Sequence, residues 1–130
     1  MALSFIYRAS IYSTTAATSY TASPAWTPAA NTSLLVAFVV GSVASGPVDP
    51  DGTPPMQGHG ATWTKLTLTD NILGTTHAMS VWVAVSPASP TSAAAQATWT
   101  SNRTGCAIIE FEITGAYVVG GAAAAIAQNP

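Results

Sequence analysis

The chain is punctuated in a way that leaves few folds open to it: short runs of β-branched and aromatic residues are cut apart by clusters of Gly, Pro, Asn and Asp. No stretch repeats apolar residues with the period of a long amphipathic helix. The runs are 3–12, a weaker one at 14–20, then 33–41, 61–69, 78–85, 94–101 and 106–114. Run 33–41 (SLLVAFVVG) is apolar at both alternating sets of positions, which predicts a central strand covered on two sides. Run 61–69 carries Thr at four positions and reads as a strand with one wet face. In 78–85, Met79, Val81, Val83 and Val85 share a face and Trp82 lies opposite.

Run 94–101 sets Ala95, Ala97 and Trp99 against Gln96, Thr98 and Thr100. Asn102-Arg103-Thr104-Gly105 then predicts a hairpin turn, because Asn and Gly accept the positive φ that tight connections need. The following strand has Ala107, Ile109, Phe111 and Ile113 on one face, and Glu110 and Glu112 are expected on its outer face, where charge discourages uncontrolled sheet pairing. Segment 44–60 holds Pro47, Pro50, Pro54 and Pro55 with Gly46, Gly52, Gly58 and Gly60, and reads as a long contact loop in which 58–60 is flexible. These signals predict an all-β fold, an antiparallel β-sandwich or jelly-roll-like single domain over 1–116. An Ala/Gly-rich C-terminal arm, 117–130, is expected to gain order from a neighbour.

Charge limits the function. Three Lys+Arg and five Asp+Glu make 6% of the 130 residues, against about 25% in an ordinary domain. Their surface places go to 18 Thr, 13 Ser and 25 Ala. Such a surface repels its neighbours weakly, which suits a chain with permanent companions. Three basic residues cannot track a phosphate backbone, so nucleic acid is not expected as a partner. The longest strictly apolar run, 34–40, is far short of a membrane helix, so no membrane partner is expected. Arg8 interrupts what would be the apolar part of a leader, and the single Cys106 excludes an internal disulfide; both point to assembly in a reducing cytoplasm.

Catalytic signatures are missing from the sequence. No Gly-x-Ser-x-Gly elbow occurs, and Cys106 falls inside a strand, where a small buried thiol is inert. Glu110 and Glu112, roughly 7 Å apart along one strand face, approach glycosidase spacing but read as two solvated carboxylates. His59 and His77 with Asp49, Asp51 and Asp70 are the remaining metal-ligand types, and 49–52 opens like a calcium loop whose twelfth position, Gly60, is not acidic. Catalytic, cofactor and metal sites are therefore not expected, and the chain reads as non-enzymatic. Of Trp26, Trp63, Trp82 and Trp99, Trp82 is expected as an intersubunit anchor or ligand platform. The interface candidates are Phe5, Tyr7, Tyr12, Trp82, Tyr117, Val118 and Val119.

Four stretches in order, WTPAANTSLLVAFV (26–39), GATWT (60–64), MSVWVA (79–84) and GCAIIEF (105–111), resemble a β-sandwich module that recurs in bacteriophage virion proteins and prophage-encoded structural proteins. The resemblance covers roughly residues 25–115 and implies a structural protein without an active site. The expected function is that of a capsid decoration or minor capsid protein, a small cyclic oligomer with a trimer favoured, which reinforces the lattice of the major capsid protein. It would be located in the virion after assembly in the host cytoplasm. The alternatives are a tail or fibre module, a carbohydrate-binding module that uses exposed aromatic residues with loop 44–60, and a self-assembling filament subunit.

Overall fold

A computed structural model describes residues 2–44, 49–66, 71–73, 76–116, 118–122 and 125. Among them run strands β1 (Ser4–Ser13), β2 (Ala17–Thr21), β3 (Ser33–Ser42), β4 (Met56–Gln57), β5 (Thr64–Lys65), β6 (Asn71–Leu73), β7 (His77–Val85), β8 (Gln96–Arg103) and β9 (Gly105–Thr114). Two antiparallel sheets form an all-β, sandwich-like domain. One has the order β1-β9-β3-β7-β5 with β6 also on β7, and the other the order β2-β8-β4.

β3 is central because both of its faces are apolar. Leu35, Ala37 and Val39 join Trp82 and Ala84 of β7, Ile108 of β9, Met56 of β4, and Ala97 and Trp99 of β8 in the core between the sheets. Leu34 and Val36 join Val81 and Val83 in a second cluster on the far side of the larger sheet. Leu66, Ile113, Ala116, Val118, Ala122 and Ala125 pack against that second cluster. The described part of the C-terminal segment thus lies on the chain's own sheet, where the Ala125 amide donates to the Gly121 carbonyl at 3.1 Å.

The hairpin expected at 102–105 does not form. β8 pairs with β2 and β4, whereas β9 pairs with β1 and β3, so the chain crosses between sheets with only Thr104 between the two strands. The Thr104 amide donates to the Ser42 carbonyl at 2.8 Å, which binds the crossing to β3. Both strands line the same core from opposite sides, Ala97 and Trp99 from one and Cys106 and Ile108 from the other, and a hairpin within one sheet could not do that. Gly105 is needed for close approach rather than for a turn, since a Cβ there would lie 2.7 Å from the Ser13 carbonyl oxygen.

Candidate functional site

The faces of β9 are the reverse of those expected. Glu110 and Glu112 are 0% and 1% exposed, while Ile109 on the other face is 44% exposed. Each buried carboxylate has a full set of donors. Glu110 Oε1 lies 2.7 Å from His59 Nε2, and its Oε2 accepts from Trp26 Nε1 at 3.2 Å and the Ala95 amide at 3.0 Å. Glu112 Oε1 accepts from the Ser33 hydroxyl at 2.5 Å and the Ala29 amide at 3.2 Å, and its Oε2 accepts from Arg8, with Nε at 2.9 Å. Burial pushes the Glu112 carboxyl upward, but the bonds from Ser33, Arg8 and Ala29 and the Arg8 charge outweigh it and hold the group below its ordinary value.

Two local devices bring the donors in. A register irregularity between Tyr7 and Ala9 sets Arg8 out of the ladder with β9, the behaviour of a β-bulge, and its guanidinium reaches Glu112 and lies 4.9 Å from the centroid of the Trp26 ring. Segment 58–60 is a tight, pinned turn and not a flexible loop. Gly58, His59 and Gly60 have φ of 137°, 59° and 70°, and the fully buried His59 ring packs 4.5 Å, centroid to centroid, from that of Trp26. The Ala61 amide donates to Gly58 and the Thr91 amide to His59, at 3.0 and 3.1 Å.

A general acid or base must reach a substrate proton. All four carboxylate oxygens here are already committed to donors of the protein itself, so the arrangement ties the 58–60 turn, the segment around Ala95 and β1 to β9. The remaining polar candidates are dispersed. Asp49 pairs with Lys65 at 2.9 Å, Asp51 accepts from the Thr100 amide and hydroxyl, and His77 Nδ1 meets the Thr76 hydroxyl at 2.8 Å. Among the described residues no three His, Cys, Asp or Glu side chains converge as metal ligands, and Asp70 lies outside those residues. The Cys106 thiol is buried in the core, and desolvation pushes it up to about 12.

The outward face of the larger sheet carries the apolar residues that the carboxylates displaced. Cross-strand register aligns Phe5, Ile113, Leu34 and Val85 in one row and Tyr7, Phe111, Val36 and Val83 in the next. Ser10, Ile109, Phe38 and Val81 form the third row, and Tyr12, Ala107, Val40 and Met79 the fourth. The C-terminal segment packs on the β3 and β7 side, at Leu34, Val36, Val81 and Val83. On the β1 and β9 side, Phe5, Tyr7 and Tyr12 remain 70%, 56% and 81% exposed, with Phe38 and Ile109 also open. Phe111 sits among them with Tyr7 and Phe38 edge-on, each at a centroid distance of 6.1 Å.

Of the candidate contact residues, the structure therefore brings Phe5, Tyr7 and Tyr12 onto one surface. Val119 is exposed, Val118 is half-buried against the second cluster, and Tyr117 lies outside the described residues. Trp82 is not a surface anchor: it is buried between the sheets, with its indole N–H donated to the Ser80 hydroxyl at 2.9 Å. Opposing Trp82 to an apolar row was correct, but the Trp82 side faces the main core and the valine side faces the second cluster. Phe38 and Ile109 are exposed on the same face and were not among the candidates; the signal for Phe38 was the apolar character of both faces of β3.

Fold and site together define a class: a β-sandwich-like domain with two carboxylates, Glu110 and Glu112, bound inside and an apolar sheet face left outside. No family model matches the chain, and no curated protein or solved structure matches it either.

Proposed function

We propose that this chain is a non-enzymatic structural subunit of a bacteriophage particle, a decoration or minor capsid protein that reinforces the major capsid lattice. The observation that carries the reading is the uncovered apolar face of Phe5, Tyr7, Tyr12, Phe38 and Ile109 on a protein that buries Arg103, Glu110 and Glu112 out of its few charged residues. A contiguous exposed apolar patch is the physical mark of a protein contact surface, and many weak copies of one contact add up on a lattice. The phage setting is drawn from the order of sequence stretches around Trp26, Trp63, Trp82 and Glu110. Trp63, Trp82 and Trp99 are buried, which removes them as a platform for stacking sugars.

Co-sedimentation with empty shells of the particle's major capsid protein tests the proposal, with mass-spectrometric copy number in intact particles beside it. The expected result is stoichiometric shell binding and hundreds of copies per particle. Absence of shell binding overturns the decoration role, and immunogold label confined to tails assigns the chain there instead.

A further inference from the structure

Building on the reading of the outer sheet face as a contact surface, we propose that its occupant is a second copy of this chain, packed sheet against sheet about a two-fold axis. The uncovered side of the face consists of Phe5 and Ile113, Tyr7 and Phe111, Ser10 and Ile109, and Tyr12 and Ala107, with Phe38 on the adjoining strand. None of these side chains is ionised at neutral pH, so a copy of the face meets itself without like-charge repulsion. A partner selected by charge would find nothing there to read.

Size supports the same occupant. At about 200 Å² per aromatic side chain, the open fractions of Phe5, Tyr7, Tyr12 and Phe38, 70%, 56%, 81% and 41%, leave about 500 Å² on each copy. Two such faces remove about 1,000 Å² together, the lower limit for a specific interface. The pattern is also compatible with self-pairing. A two-fold axis lying in the interface and running across the strands passes between the Tyr7 and Ser10 rows. It sets Tyr12 of each copy over the Phe5 and Ile113 end of the other. An interface of this kind is isologous and closes at two copies, in place of the trimer expected from the sequence.

The test is sedimentation velocity of the full chain over a wide concentration range, with Phe5→Lys and Tyr12→Lys as variants. Both side chains are mostly exposed, so the variants are expected to keep the far-ultraviolet circular dichroism of the parent. The expected result is a dimer whose dissociation constant rises by about a hundredfold or more in each variant, because a buried lysine would face apolar surface without a partner. Thr18→Lys, at an exposed position of β2 in the other sheet, should leave it unchanged.

A monomer at every concentration, a trimer, or a dimer indifferent to both lysines overturns the inference. A monomer that still binds shells removes the second copy and leaves the proposed function standing. A Tyr12-dependent dimer that ignores shells supports the pairing and removes the capsid role.

Discussion

His59 Nε2 lies 2.7 Å from Glu110 Oε1 with neither side chain exposed to solvent, although 51 residues of chain separate them. Trp26 and the Ala95 amide complete the carboxylate's donors, while His59 Nδ1 has no partner among the described residues. These partners assign the ring proton to Nε2: a bare lone pair is then left at Nδ1, which is less costly than an orphaned N–H.

Replacing His59 by Leu leaves a buried carboxylate oxygen without its donor. The expected loss is about 1–3 kcal/mol of unfolding free energy in guanidinium titrations. The His59→Leu/Glu110→Leu double variant should be more stable than the sum of the single losses predicts, by about 1 kcal/mol or more. Strict additivity would mean that the two groups do not act as a unit.

Glu112 makes stability depend on acidity with a definite sign. Its folded-state value lies below the ordinary 4.5, so the unfolded chain takes up a proton first as pH falls. The contribution is fully present above the unfolded value and is lost as pH drops through the folded one. Denaturant midpoints should therefore fall as the pH drops below the ordinary value of 4.5. Arg8→Met should lower stability at neutral pH and shrink that fall, because it removes the charge and donors that hold Glu112 down. Glu112→Gln should be less stable at neutral pH, with a flatter acid limb.

Gly58→Ala tests the turn that carries His59. An added Cβ would lie 2.6 Å from the Ala94 carbonyl oxygen, at a φ of 137° that L side chains rarely adopt. A loss of at least about 1–3 kcal/mol is expected. Quenching of Trp26 fluorescence by the packed His59 ring should change in parallel if the ring is displaced.

Cys106 should be silent in the native protein. With its thiol raised to about 12 by desolvation, almost no thiolate exists at pH 8, and a disulfide-exchange reagent should react only after denaturant is added. Rapid native labelling would place the thiol at the surface.

Strand existence was readable because the β-branched runs and their Gly and Pro boundaries are local properties. β1, β3, β7, β8 and β9 all fall within two residues of the expected limits. The crossing at Thr104 was not readable, since Asn102 and Gly105 look alike in a hairpin and in a strand that changes sheets. Nor was the role of His59, whose Gly-His-Gly context signals a turn without saying what the turn encloses.

The order of residues by itself determined that the domain is all-β, and that Cys106, Ile108, Glu110 and Glu112 of β9 share one face while Ala107, Ile109, Phe111 and Ile113 share the other. Which face turns inward was decided only by tertiary structure. Alternation defines two sets but carries no preference between them when one set is apolar and the other has buried partners waiting. Those partners, Arg8, Trp26, Ser33 and His59, reach β9 from 51 to 104 residues away. Only when they converge does burying the glutamates become favourable, and the aromatic face is left turned outward.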